Sequence, residues 1–222
     1  MRTHRLLVAV CLACSPVLVG CSSGAPDPAS SEPQAVATTS APETGDALDV
    51  RIVADSEVPD EVAALLDAEP GIAVSSAVSE HGATMAELDA AADAALAEHP
   101  DVLVYAGGTN DLPDGPVAVL AGLDERLRRY GEQACVVVAV PVFRYERGTA
   151  AEVQQRTEGT RVLERAVVAS GARVASYLDV ALAMDQAGED FFAEGELGDL
   201  HPGSRSYPRI AAAIAEQVRA CG

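Results

Sequence analysis

Continuous apolar runs recur along the chain from about residue 48 onwards, and each is followed by a polar or glycine-containing segment. Runs that are apolar at every position, rather than at every second one, are typical of parallel strands covered on both faces of a sheet. The clearest such runs are Val102-Leu103-Val104 and Val136-Val137-Val138-Ala139-Val140, and we expect five strands in all. The predicted strands are Val50–Ala54, Ile72–Ala77, Val102–Ala106, Cys135–Val140 and Arg173–Tyr177.

Segments with helical periodicity lie between these runs and after the last one, with apolar residues three and four positions apart. Thr84 and Glu87 have the spacing of a capping box at the start of the second predicted helix. Strands that alternate with helices predict an α/β fold, a three-layer α/β/α sandwich around a five-stranded parallel sheet. The predicted apolar faces are Val58, Val62, Leu65 and Leu66; Met85, Leu88, Ala92 and Leu96; Leu120, Leu123, Leu127 and Tyr130; and Ile210, Ile214 and Val218.

Residues 1–20 have the composition of a signal peptide. Arg2 and Arg5 form a basic start, and the apolar run that follows is shorter than the roughly 20 residues needed to span a bilayer. The run ends in Leu18-Val19-Gly20-Cys21, which resembles the lipobox of bacterial lipoproteins. That resemblance implies that Cys21 is acylated and becomes the mature N-terminus. An ordinary signal peptide with an incidental cysteine is the alternative.

Residues 21–47 consist mainly of serine, proline, alanine, threonine and glutamate. Such a segment buries too little apolar surface to offset the entropy lost on ordering. We interpret it as a disordered tether between an anchored Cys21 and a globular domain at residues 48–222, which has the length of a single domain. The expected location is extracytoplasmic, with a lipid anchor in the cell membrane.

The composition is strongly acidic, with 34 acidic and 15 basic residues and a formal net charge of −19. Nucleic-acid binding depends on basic side chains that neutralise phosphates, so this composition argues against a nucleic-acid partner. It argues equally against adhesion to anionic lipid head groups. Solubility of an exposed surface is a sufficient explanation of the acidity.

Two cysteines, Cys135 and Cys221, lie in the predicted domain. An even pair in an exported protein favours a disulfide, which here would join the start of a strand to the end of the last helix. Two buried free thiols are the alternative. No histidine or further cysteine lies at ligand spacing from either one, so no metal site is expected.

Four short motifs carry the candidate chemistry. Three of them follow predicted strands and the fourth precedes the last helix. In a parallel sheet the carboxyl ends of the strands meet at the edge where ligands bind, so we expect all four at that edge. We also expect the serine of the first motif at a helix N-terminus, where backbone N–H groups favour a developing anion. The motifs are Ala54-Asp55-Ser56, Gly82, Gly108-Thr109-Asn110-Asp111 and Asp199-Leu200-His201-Pro202.

In this order the motifs resemble those of the SGNH ester hydrolases, also called the GDSL type. The resemblance implies a flavodoxin-like fold, a Ser56 nucleophile and a His201 general base, with no cofactor and no metal. It also implies an oxyanion hole formed by the backbone N–H groups of Ser56 and Gly82 and the side chain of Asn110. The four motifs and the lipobox together make the chain similar to actinobacterial-type secreted lipoproteins of this family.

The acid that orients His201 is left open. The family usually has an aspartate three residues before the histidine, where this chain has Gly198, whereas Asp199 lies two residues before it and Glu196 five. We predict Asp199 in this role, with Glu196 or a Ser–His dyad steadied by a backbone carbonyl as alternatives. Glu57 is a second departure, since the family usually has an apolar residue after the serine.

These residues predict a monomeric extracytoplasmic serine esterase that hydrolyses carboxylic esters, acyl or acetyl, of a small molecule or a polymer. The alternative is a catalytically silent SGNH-like surface module that binds a ligand or a partner protein. A binding module has no need for both Ser56 and His201, which favours the enzyme. A nucleotide-binding flavodoxin-like protein is disfavoured because no GxGxxG loop follows the first strand.

Overall fold

Five parallel strands form the central sheet of the computed structural model, which describes residues 47–111, 119–142, 150–192 and 201–222. The strands are β1 (Leu48–Ala54), β2 (Ile72–Ser79), β3 (Val102–Ala106), β4 (Cys135–Val140) and β5 (Arg173–Ser176). Their order across the sheet is β2-β1-β3-β4-β5, with every pair of neighbours parallel. The predicted five-stranded parallel sheet is confirmed, with small shifts at the strand ends.

Helices cover both faces of this sheet and complete the three-layer sandwich. In the described ranges they are α1 (Asp60–Asp67), α2 (Asp89–Leu96), α3 (Leu123–Gly131), α4 (Ala150–Ala169), α5 (Tyr177–Gln186) and α6 (Tyr207–Arg219). Side chains of α1, α5 and α6 pack on one face, and those of α2, α3 and α4 pack on the other. None of these helices is long and apolar enough to cross a membrane.

Successive residues of a strand point to opposite faces, and both faces of this sheet are apolar. In β3, Val102, Val104 and Ala106 belong to the core under α1, α5 and α6. Leu103 and Tyr105 belong to the core under α2, α3 and α4. All five side chains of this central strand are fully buried, which explains the continuous apolar run in the sequence.

The capping box predicted from Thr84 and Glu87 is present. The backbone N–H of Thr84 donates to the Glu87 carboxylate at 2.8 Å, and the N–H of Glu87 donates to the Thr84 hydroxyl at 3.4 Å. Since α2 begins at Asp89, the box closes the turn before the helix and fixes the loop between β2 and α2.

Two local predictions are wrong. Leu65 was placed on the buried face of the first helix, but its side chain is 37% exposed. Tyr177 was placed at the end of the fifth strand, but it is the first residue of α5. Ser176 ends the strand and caps the helix, because its side chain accepts a hydrogen bond from the Asp179 N–H, and this leaves no loop between β5 and α5.

Cys135 and Cys221 are joined by a disulfide, with sulfur atoms 2.02 Å and Cα atoms 6.0 Å apart. The bond attaches the chain end after α6 to the start of β4. It closes a loop across a sequence separation of 86 residues. A loop of that size corresponds to roughly 4 to 5 kcal/mol in chain-entropy accounts of disulfide stabilisation.

Candidate active site

The carboxyl ends of β1 and β3 lie side by side where the strand order reverses. The chain runs outward from β1 to β2 and then back across β1 to β3, which opens a crevice beyond the strand ends. The turn after β1 carries Ser56, the loop after β2 carries Gly82 and the loop after β3 carries Asn110. Three of the predicted site residues therefore lie at one edge of the sheet.

His201 reaches the same edge from a distant part of the chain. Its Nε2 atom lies 2.8 Å from the Oγ atom of Ser56, although the two residues are 145 positions apart. This distance is within hydrogen-bond reach, so the imidazole is placed to accept the hydroxyl proton.

Backbone contacts with the core hold the chain beside His201. Phe192 pairs with Pro202 in an isolated antiparallel bridge, and the N–H of Gly203 donates to the carbonyl of Phe191 at 2.8 Å. Both phenylalanines are buried in the core under α1, α5 and α6. The residues that follow the histidine are thus attached to the folded body of the protein.

The turn that presents Ser56 is braced by Asp55. The Asp55 N–H donates to the Ala106 carbonyl at the end of β3, at 3.0 Å. The Asp55 carboxylate accepts the N–H of Glu57 at 2.9 Å. The expectation that Ser56 lies at a helix N-terminus is wrong, because α1 begins four residues later, at Asp60. A carboxylate and the neighbouring strand, not a helix end, fix this turn.

The amide of Asn110 connects the three loops of the site. Its Nδ2 atom donates to the carbonyl of Ala83 at 2.9 Å and to the Asp55 carboxylate at 3.3 Å. Ala83 follows Gly82 and Asp55 precedes Ser56, so the three residues predicted for the oxyanion hole are neighbours in space. The bond to Asp55 is the longer and weaker of the two.

Two glycines allow the loops to take their observed conformations. Gly82 has a φ of 80° and Gly108 a φ of 109°, values that other residues rarely adopt. A Cβ atom on Gly108 would lie 3.0 Å from Cγ1 of Val119, so a side chain there would also have to displace Val119 slightly. The glycine at each motif position is required by the backbone.

Two buried carboxyl groups flank Ser56 in the sequence. Burial, helped by the nearby charge of Asp111, raises the pKa of Asp55 to about 7. Burial raises the pKa of Glu57 to about 8, with a further contribution from Asp55. Both carboxyl groups therefore hold a proton more readily than an exposed carboxyl does, which limits the negative charge beside Ser56.

Three contacts in the site were missed by the sequence analysis. The hydroxyl of Thr109 donates to the Glu57 carboxyl at 3.0 Å, and the Asp111 carboxylate accepts the N–H of Met85 at 3.0 Å. The third is the bond from Asn110 to Asp55. The only sequence signal for any of them was adjacency to the motif residues.

Asp199 and Glu196, the two candidates for the acid that orients His201, lie outside the described residues, as does Cys21. Their roles stay predictions. Within the described ranges, no group of three or more histidine, cysteine, aspartate or glutamate side chains is arranged to hold a metal ion.

A serine bound to a histidine at the carboxyl edge of a parallel sheet, with an amide donor beside it, defines the site of a hydrolase. The chain belongs to the GDSL-like lipase/acylhydrolase family, whose sequence model matches residues 45–209. No curated protein sequence matches it significantly. Membership in this family supports ester hydrolysis in general.

Solved structures with the same fold cover most of the chain. A lipolytic protein of the GDSL family from Veillonella parvula is 17% identical with a TM-score of 0.63, covering 77% of this chain and 97% of its own. Axe2, an acetylxylan esterase from Geobacillus stearothermophilus, is 13% identical with a TM-score of 0.61, covering 79% and 95%. A lipase/acylhydrolase from Enterococcus faecalis is 18% identical with a TM-score of 0.59, covering 78% and 96%. At these identities the similarity establishes the fold.

Proposed function

We propose that this protein is a serine esterase that hydrolyses carboxylic esters, acyl or acetyl, with Ser56 as the nucleophile and His201 as the general base. The contact of 2.8 Å between His201 Nε2 and Ser56 Oγ is the observation that carries the proposal. A serine hydroxyl is a weak nucleophile, and a base at this distance activates it.

In the first half of the reaction, Ser56 Oγ attacks the ester carbonyl carbon while His201 Nε2 takes the hydroxyl proton. The negative charge that develops on the carbonyl oxygen is stabilised by the N–H groups of Ser56 and Gly82 and by the Asn110 amide. The tetrahedral intermediate then collapses, and the bond to the alcohol breaks. His201 gives its proton to the leaving alcohol, and an acyl group remains on Ser56.

In the second half, water replaces the alcohol. His201 takes a proton from the water molecule, whose oxygen attacks the acyl carbon of the Ser56 ester. The same three donors stabilise the second tetrahedral intermediate. Collapse of this intermediate returns the proton to Ser56 and releases the carboxylic acid, so the enzyme is restored and one water is consumed per ester.

The similar structures support this choice of substrate class. Axe2 and AlAXEase are both described as acetylxylan esterases. One Axe2 structure is of a catalytic mutant in which a histidine is replaced by alanine. A short acyl group, such as acetyl, is therefore the first candidate for this protein. A panel of chromogenic esters of increasing acyl length, tested on residues 48–222, identifies the preferred acyl group. Absence of turnover on every ester would contradict the proposal.

Replacing Asn110 by alanine is expected to lower kcat roughly 10²- to 10³-fold, because it removes one of three oxyanion donors. KM should change little, since the donor acts mainly in the transition state. The measurement is steady-state kinetics on the preferred ester. Thermal unfolding of the variant is needed beside it, because Asn110 also binds the Ala83 carbonyl. A folded variant with wild-type kcat would remove Asn110 from the oxyanion hole.

We further propose that Cys21 is the lipid-modified N-terminus of the mature protein and places the enzyme outside the cytoplasm. The support is the sequence Leu18-Val19-Gly20-Cys21 after a short apolar run. Cys21→Ala removes the residue that carries the lipid and is expected to release the protein from the membrane fraction. Stable anchoring depends on more than one acyl chain, so the modification should be multiple. Mass spectrometry of the N-terminal peptide is the check. An unmodified N-terminus elsewhere in the chain would contradict the anchor.

A further inference from the structure

Glu57 directly follows the nucleophile in the sequence, yet its side chain points into the protein. Only 2% of the residue is exposed. Its carboxyl accepts the Thr109 hydroxyl at 3.0 Å, and its backbone carbonyl accepts the hydroxyl of the buried Tyr177 at 3.2 Å. A buried carboxyl group is costly unless it is hydrogen-bonded, and here the Thr109 hydroxyl supplies that bond.

Glu57 and Asp55 make corresponding contacts with the same loop. Asp55, before the serine, binds the side chain of Asn110, and Glu57, after the serine, binds the side chain of Thr109. Asn110 and Thr109 are successive residues of the loop after β3. The two carboxyl groups on either side of Ser56 thus hold two successive residues of the loop that supplies the oxyanion donor.

We propose that Glu57 is a positioning residue for the oxyanion hole, and that it fixes the loop bearing Asn110 through its hydrogen bond to Thr109. This inference rests on the proposed esterase function. It assigns Glu57 no contact with substrate. The carboxyl end of this hydrogen bond is buried, where water competes little for it, and the Thr109 end is partly buried.

The charge of Glu57 gives this role a pH dependence. The groups that face it or its immediate partners are Asp55 in the serine turn, Asp111 in the loop after β3, Tyr177 at the start of α5, and His201, which contacts Ser56. No ion pair among the described residues includes Glu57. Burial raises its pKa to about 8, so the neutral form prevails at neutral pH.

The sign of the effect follows from this raised pKa. The folded protein holds the proton more tightly than the unfolded chain. This tighter binding of the Glu57 proton therefore contributes fully to stability below the ordinary pKa of a glutamate, and the contribution is lost as the pH rises to about 8. The ionised carboxylate of Glu57 also opposes the negative charge of the tetrahedral intermediate. Stability of the wild type should therefore fall across this whole range, and kcat should fall only as the pH rises through about 8, where Glu57 ionises in the folded enzyme.

Four variants test the role by steady-state kinetics against pH. Glu57→Leu and Thr109→Val each remove one side of the bond and are expected to lower kcat about 10- to 100-fold, with KM nearly unchanged, because a displaced donor acts in the transition state. The double variant should be no worse than the weaker single one. Glu57→Gln keeps the acceptor and should retain kcat at neutral pH, without the alkaline fall of the wild type.

Glu164 offers a matched control, since it is a second buried carboxyl that accepts a hydroxyl, that of Ser176, at 2.5 Å. Glu164→Leu should lower the unfolding temperature and leave kcat at the wild-type value. Wild-type kcat in both Glu57→Leu and Thr109→Val would overturn the positioning role and leave the proposed function standing. A fall of kcat at alkaline pH that persists in Glu57→Gln would do the same. A folded wild type that hydrolyses no ester would instead overturn the proposed function, and this role with it.

Discussion

Turnover of a short-chain chromogenic ester is expected to fall by on the order of 10⁶-fold when Ser56 is replaced by alanine. Without the hydroxyl there is no covalent intermediate, and His201 has no proton to accept from the enzyme. The residual rate reflects binding and the oxyanion donors acting on water. Initial rates of the purified domain at saturating ester measure the loss.

Ser170→Ala is the matched control for this change. Ser170 follows α4, at the edge of the sheet opposite the site, and its hydroxyl donates to the carbonyl of Val167. We expect its kcat to equal that of the wild type. Near-normal turnover by a Ser56→Ala domain of equal purity would exclude the nucleophile and the mechanism built on it.

Loss of the His201 side chain should cost about as much as loss of Ser56. The two residues act as one unit, and in such a unit either deletion removes most of the catalytic advantage. His201→Ala is compared by the same rate measurement with His99→Asn, a histidine beside the amino end of β3. Asparagine is chosen there because residue 99 has a φ of 56°, which asparagine tolerates. Equal losses in the two histidine variants would contradict a specific role for His201.

Asp199→Asn then separates a triad from a dyad. A large loss of kcat assigns Asp199 to orienting His201. A loss below about tenfold, which is less than about 1.4 kcal/mol of barrier, moves that task to another group. Glu196→Gln is the companion variant, because Glu196 carries the second carboxylate before the histidine. The variant that reproduces the effect of His201→Ala most closely identifies the acid.

The centre of the sheet was predictable because β3 and β4 are buried on both faces, so each appears as a continuous apolar run. A helix was expected between β4 and β5, but no apolar face was predicted for α4, the longest helix in the described part of the chain. Its sequence contains Gly159 and many polar residues, and among its described side chains Leu163 and Val167 belong to the core. Helix α5 was missed because it starts at Tyr177, directly after β5, with no loop to separate the two patterns.

The candidate site was predictable in its members and not in its connections. Ser56, Gly82 and Asn110 follow strands, and position after a strand determines the edge at which they lie. The bonds of Asp55 and Glu57 depend on the register of β1 against β3, which places Ala54 opposite Ala106. Nothing in the residue pattern encodes that register. From the sequence, Glu57 was only a departure from the family pattern, whereas in the structure its carboxyl accepts a hydrogen bond from the Thr109 hydroxyl.

Labelling of the serine by a fluorophosphonate tests the central claim most directly. In this reaction Ser56 Oγ displaces fluoride and forms a stable bond to phosphorus, so the label marks a nucleophile that a base activates. Peptide mass spectrometry of the wild-type domain is expected to find one phosphonyl group per molecule, on the peptide that contains Ser56, with esterase activity lost in proportion. A folded domain that remains unlabelled, or carries its label on another residue, would contradict the account and favour a catalytically silent binding module.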